Sequence, residues 1–449
     1  MSRRMLVRVA LAFAVILSAV LVGANALPLG GQKVAGPYVV DAAPLSAPTW
    51  ISGVQVQNLD TVNSADIFIT YYNRDGSVNA SQGDKIPAGT SKTYFASTMA
   101  ASSGFAGSAV VSSNRPVAAI VNQLTSGPVM GEAYDGISAP ATQVYLPLIM
   151  RNNSGYNTTI HVQNAGQADA TNVKLLFRGP TNYDYTLADS THPLKAGAAV
   201  AVPQDTMTQL GSGRWVGSVT ITSDQQMAAA VNESNNSQLL SYSGVNTGGS
   251  KVYAPLLMAN NSGWWTGFQV MNIGSSAATV NLKINGTQTD SAVILPGAAK
   301  TWFPIPGMPG KIAAGTAEGA TGTEQLVGIV NEVGASGQGM AYNAFTGGTS
   351  KIFAPLLMSN NSGWWTGFQV MNIGTSPATV NLKVNGTQTD STVIAPGTLK
   401  VWFPVPGMPS KIASGVAEGA TGTEQLVGIV NEISSASGDN AMSYEAINQ

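Results

Sequence analysis

Along most of this chain apolar and polar residues alternate with a period of two. "TVNLKING" places Val280, Leu282 and Ile284 on one face and Thr279, Asn281 and Lys283 on the other, the pattern of a strand with one buried and one wetter side. Asn285-Gly286 follows at once, and Asn385-Gly386 repeats it downstream. Both are type I′ hairpin signals, with Asp75-Gly76 as their upstream counterpart. Pro296-Gly297 and Pro396-Gly397 mark a further turn before "KTWFP" and "KVWFP". About seven short strands per repeated unit, with turns every ~8–12 residues and no helical period, predict an all-β antiparallel sandwich. One stretch fits less well: "GSAVVSS" and "GSVTITS" are good strand text, whereas the later copies read "GTAEGATG", which predicts a shortened or bulged strand there.

Internal similarity sets the organisation. Residues 251–333 and 351–433 align without a gap, and about four positions in five are identical. Many of the differences are apolar swaps of similar volume, such as Val252/Ile352 and Ile305/Val405, which a packed interior tolerates at small cost. Two older copies lie upstream. "VYLPLIMRNNSGYNTTIHVQNAG" matches "VYAPLLMANNSGWWTGFQVMNIG", and "PTWISGVQVQNLD" keeps the same ending. The closing asparagine falls at Asn58, Asn164, Asn272 and Asn372, where an Asx side chain suits a turn after a strand. A second landmark recurs as "IVNQ", "AVNE" and twice "IVNE", each followed by a tyrosine: Tyr134, Tyr242, Tyr342 and Tyr444. Four tandem units follow, at 36–139, 140–248, 249–348 and 349–449, separated by short Gly/Ser/Thr joints that permit only limited bending.

The first 26 residues break the alternation. Arg3, Arg4 and Arg8 precede an apolar run, and Ala24-Asn25-Ala26 supplies small residues where a signal peptidase reads. Residues 1–26 are therefore expected to be a secretory signal, short for a membrane span. Losing its three arginines takes the formal charge from −2 to −5. The rest of the chain offers no apolar run of spanning length, so no transmembrane segment is expected in the mature protein. Only 10% of residues are charged and cysteine is absent. The first fact leaves no basic stripe for nucleic acid; the second excludes disulfides, a lipidated cysteine and thiolate metal sites.

With those motifs in view, the chain resembles the immunoglobulin-like modules strung together in secreted bacterial cell-surface, adhesin and surface-layer proteins. The phrase "LPLxMxNNSG…VQNxG…VNE…Y", from about residue 36 to the end, is similar to repeats in uncharacterised exported proteins of filamentous bacteria. The resemblance implies the sandwich fold and an extracellular role. It implies no activity, because such sandwiches serve many functions.

Catalytic chemistry finds little footing. Histidine occurs only at His161 and His192. The alternation in "TIHVQN" turns His161 away from Ile160 and Val162, toward solvent, and His192 sits in a turn. There is no nucleophile elbow, Walker loop, zincin motif, EF-hand or dinucleotide fingerprint. The acidic residue of the second landmark, at Glu233, Glu332 and Glu432, is Gln123 in the first copy. It has no evident second carboxylate and reads as a strand-end side chain with a local hydrogen bond. No cofactor, metal site or enzyme activity is expected.

The tryptophans carry the one sharp binding hypothesis. In "WWTGFQVMN" Trp264 shares a face with Phe268 and Val270, and its counterparts Trp50, Tyr156 and Trp364 are all aromatic. That position belongs to the core. The next position is Ile51, Asn157, Trp265 and Trp365. Trp265 and Trp365 are thus candidates for stacking on a sugar ring or a partner's apolar patch, or for filling the contact between units or against "FPIPGMPG". The sequence predicts a secreted, non-enzymatic, rod-like array acting as a structural or adhesive surface protein. Its expected partners are cell-wall or extracellular polysaccharide, other surface proteins, or further copies of itself. A carbohydrate-binding array serving a separate hydrolase and a self-assembling surface-layer or filament subunit are the alternatives.

Overall fold

The computed structural model of the chain describes residues 33–36 and 49–448, apart from 61, 96–97, 127–128, 435 and 437. The signal-like segment 1–26 lies outside the described residues. The described chain is all-β, with antiparallel sheets throughout and two single-turn 3-10 helices, Gln204–Thr206 and Thr208–Leu210. It divides into two compact units, Met1–Asn246 and Thr247–Gln449.

In the second unit the third repeat builds two four-stranded layers. One runs Thr287–Ile294, Ala278–Ile284, Ile312–Gly319, Lys251–Asn261; the other runs Ala299–Trp302, Trp264–Asn272, Leu326–Gly334, Gly339–Asn343. The repeat therefore has eight strands, and the fourth repeats this arrangement, adding Ile447–Asn448 against Lys351–Met358. Val280, Leu282 and Ile284 face inward as the alternation requires, while Thr279 is exposed. Asn285 and Gly286 both take positive φ, 47° and 82°, so the hairpin is of the primed kind. At Asp75-Gly76 only the glycine does. There Asp75 Oδ1 accepts the Ser77 N–H at 2.9 Å and the ladder slips by a residue between Tyr71 and Tyr72, a longer turn with a bulge.

The "GTAEGATG" stretch supplies the end of the strand Ile312–Gly319, which stops at Gly319, short of where the aligned upstream strands continue. Its small residues are a packing requirement: a Cβ on Gly315 would stand 2.5 Å from Leu257 Cδ1. The ladder irregularity lies opposite, between Ala254 and Leu257, where Pro255 has no N–H to donate.

Each recurrent tyrosine described by its bonds ties the two layers together. Tyr242, Tyr342 and Tyr444 donate to the carbonyls of Leu148, Leu256 and Leu356 at 2.6, 2.6 and 2.7 Å, and all three are buried. The closing asparagines behave as the sequence predicts. Asn272 Oδ1 accepts the Gly274 N–H at 2.9 Å, and its Nδ2 donates to the Ser276 and Ile294 carbonyls. Asn58, Asn164 and Asn372 make the same kind of clamp.

In the first unit, the first repeat has layers ordered Lys33–Gly36, Gly107–Ser113, Ala65–Asn73, Val78–Ile86 and Ser91–Phe95, Thr49–Asn58, Val117–Ser126, Met130–Asp135. In the second repeat one 20-residue strand, Trp215–Ser234, serves both layers.

Within each unit the two repeats lie against each other, which differs from units strung end to end on joints. Ser243 Oγ donates to the Asp135 carbonyl in the first unit. In the second, Gly339 N–H donates to Asp439 Oδ1 at 2.8 Å. Met371 and Val427 of the fourth repeat pack on Ala314 of the third, and Ile429 joins the third repeat's core. The "TGGTSK" joint is pinned as well, by mutual hydrogen bonds between Thr349 and Leu426. Burying apolar surface across the junction outweighs the freedom of a short joint.

Candidate functional site at the junction of the third and fourth repeats

The lateral packing in the second unit leaves a cleft of about 400 Å³, within the size range of small-ligand sites. From the third repeat Leu256, Met258, Trp264, Ile312 and Met340 form an apolar wall, with Asn261 and Ser262 at its edge. The fourth repeat contributes the outer face of its second layer: Gly367, Gln369, Val401, Phe403, Asn431 and Ile433. No lining side chain is charged, so the cleft favours an uncharged ligand.

Local structure explains how these groups reach the cleft. Asn260, Ser262 and Gly263 all have positive φ (53°, 52° and 89°), so the "NNSG" turn reverses sharply. Trp264 opens the next strand and lies along Gly334, where an added Cβ would stand 3.1 Å from the indole. On the facing wall Gly367 makes room for its neighbours: a Cβ there would come within 2.7 Å of the Gln369 amide and 3.5 Å of the Phe403 ring. With its amide turned so that nitrogen and oxygen exchange places, Gln369 donates to the Ile429 carbonyl at 2.9 Å.

Beside Asn431 and Met340 lies a buried polar pair. Asn431 Nδ2 donates to Glu332 Oε2 at 2.7 Å and its Oδ1 accepts from Ser443 Oγ at 3.0 Å. Glu332 is fully buried, and that burial pushes its carboxyl up to about 8, the Asn431 bond offsetting part of the effect. Thr266 stands directly across the strand pair, but its hydroxyl is engaged by the Met258 backbone. Glu432 is likewise buried and pushed up to about 8.

These glutamates are the main residues that the sequence reading misplaced. They are interior groups, not strand-end side chains. Glu233 is fully buried too, and the first repeat keeps the feature in another form: Gln123 pairs across the ladder with buried Glu132. Every repeat thus buries a carboxyl within the same cross-strand pair, on one strand or on its neighbour. The signal was available, because Glu332 is two residues from core Val330 and must share its face.

His161 also differs from expectation. It is on the side opposite Ile160 and Val162, as alternation requires, yet it is buried rather than in solvent. Burial, with a smaller push from the Arg74 guanidinium, holds its imidazole down at about 3. The first repeat, not water, covers that face.

Of the sequence candidates, neither Trp265 nor Trp365 lines the cleft. Both are half-buried on the outer face of their sheet. Trp365 pairs across the ladder with Ile433, which does line the cleft, and so flanks its fourth-repeat wall. Trp265 pairs with Val333 and Ala259, outside it. Trp264, expected wholly in the core, is only half-buried and supplies the aromatic surface.

Among the described residues no three His, Asp or Glu side chains cluster as a metal site would need, and no helix is long and apolar enough to cross a membrane. No protein-family model matches the chain, and no curated protein matches it in sequence.

Proposed function

We propose that this chain is an exported, non-enzymatic structural or adhesive protein of the bacterial surface, built from immunoglobulin-like sandwiches, with the junction cleft as its binding element. The observation that carries the reading is the composition of that cleft. Trp264 and Phe403 provide aromatic surface, Asn261 and Gln369 provide amides, and no charge is present. Such a surface suits a neutral ring or apolar group held by stacking and one or two hydrogen bonds.

Trp365 beside the same wall favours a second reading, in which the ligand is a neutral polysaccharide and the array carries glycan-binding modules. Two measurements test these readings. Fractionation of the native cells should find the protein outside the membrane, and a cytoplasmic location would end the export reading. Pull-down on insoluble neutral polysaccharide and on isolated cell wall should weaken at least tenfold in Trp264→Ala. Retention by Trp264→Ala with loss in Trp265→Ala would move the site back to the outer face.

A further inference from the structure

The junction within each unit uses the same places in the fold with opposite chemistry. Between the third and fourth repeats, Met371 is flanked across the ladder by Leu399 and Val427, and Gln369 by Val401 and Ile429. The second repeat turns the same face to the first, with Gln163 and His161 at those two positions. Their ladder neighbours are all alanines: Ala199 and Ala228 beside Gln163, Ala201 and Ala230 beside His161. Four methyl groups thus stand where the other junction has four larger apolar side chains. Less apolar surface is buried there, and the contact is correspondingly weaker.

The polar side chains at its centre are unpaired. His161 is 5% exposed and Gln163 fully buried, yet neither ring nitrogen and neither amide atom finds a hydrogen-bond partner in the protein. Each such atom weakens the closed contact, because water would satisfy it in the open one. Other groups hold the junction shut. Ala230 enters the first repeat's apolar cluster, Leu239–Ser243 lies along Met130–Asp135, and Ser108 Oγ donates to the Gly197 carbonyl at 2.6 Å. We propose that this junction is an acid-released latch, in which protonation of His161 separates the first two repeats while both sandwiches stay folded.

The surrounding charges favour release. The first repeat brings Tyr72, Arg74, Glu132 and Tyr134 to the junction, and of these the Arg74 guanidinium acts on the imidazole, repelling a second positive charge. Asp75 is taken up by Ser77, and Lys195 of the second repeat by Asp169. Burial first and Arg74 second hold the closed-state imidazole down at about 3, whereas facing water it titrates near its ordinary ~6.5. The closed form therefore binds fewer protons between those values. Closure is fully supported above ~6.5 and loses support as pH falls, the open-to-closed ratio rising about tenfold per pH unit. Glu332 and Glu432 titrate in the opposite sense, but they belong to the second unit. Acid thus uncovers two faces that neutral pH keeps together.

The chain has no cysteine, so Ser103→Cys and Ser190→Cys, both at exposed positions, place one spin label on each repeat. In the full chain the label-to-label distance should be single at about pH 7.5 and gain a longer component on acidification. Its ratio to the short one should grow about tenfold per pH unit, reversibly and without loss of the β-sheet circular dichroism. His161→Gln, which sets the fourth repeat's residue at this place, should hold one distance throughout. On unlabelled wild type, carbon-13 histidine spectra should show His161, distinguished from exposed His192, titrating in step with the opening. A distance unchanged down to about pH 4, a His161→Gln chain that opens like wild type, or opening that coincides with loss of the sheet signal would each overturn the latch. So would His161 titrating at constant distance, a result that needs no His161 variant to fold. The inference goes beyond the proposed function and its test uses no ligand, so either can fail alone.

Discussion

Asn431 of the fourth repeat donates its side-chain amide to the Glu332 carboxyl of the third at 2.7 Å, with both residues buried. The bond links two repeats that the sequence presents as separate units. It also satisfies one oxygen of a carboxyl that burial keeps in its protonated form at neutral pH.

The first expectation concerns pH. Glu332 and Glu432 hold their protons up to about 8 in the folded state, whereas an unfolded glutamate gives its proton up near ~4.3. The folded state therefore binds more protons between those values. The stabilisation is fully present below the unfolded value, is lost as pH rises, and levels off above about 8. Urea midpoints should fall from acid to mildly alkaline pH. Glu332→Gln and Glu432→Gln should each flatten the profile, and a flat wild-type profile would refute the assignment.

Asn431→Ala removes the side-chain amide that donates to Glu332 and leaves the acid buried. It should cost about 1–3 kcal/mol and push the Glu332 carboxyl further up. Asn431→Ala combined with Glu332→Leu should recover part of that loss, because no polar group is then stranded. Additive losses in a double-mutant cycle would show that the two residues do not interact.

Tyr342→Phe keeps the ring and deletes the hydroxyl that donates to the Leu256 carbonyl and accepts its N–H at 3.2 Å. Two buried backbone groups lose a partner, so chemical denaturation should register a loss of about 1–3 kcal/mol. Tyr444→Phe should cost a similar amount, since its bonds to Leu356 repeat the geometry.

Asn272→Asp tests the clamp. A carboxylate can still accept the Gly274 N–H but cannot donate to the Ser276 and Ile294 carbonyls. The variant should lose roughly 2 kcal/mol or more by thermal or urea unfolding. An unchanged midpoint would show that the asparagine marks the turn without holding it.

The turn that Asn272 closes through Gly274 and Ser276, and the Asn285-Gly286 hairpin, were legible in the sequence because these bonds and dihedrals are made within a few residues; the bond from Asn272 to the Ile294 carbonyl was not. The assignment of strands to a period of two was legible for the same reason, and "GTAEGATG" was expected to carry a shortened or bulged strand. Burial of its glycine depends on Leu257, more than fifty positions away in the chain, and no local pattern carries that contact.

By itself the sequence determined the turn chemistry and which side chains share a face, because alternation and special φ values are properties of a short stretch of backbone. It could not determine what each face would meet. His161, Glu332 and Trp264 were each placed on a definite side; tertiary packing decided that the first would be covered, the second desolvated and the third left half-open. The physical reason is that a strand's two faces are chemically distinguished by its own residues, whereas burial is decided by whichever other surface comes to lie against them.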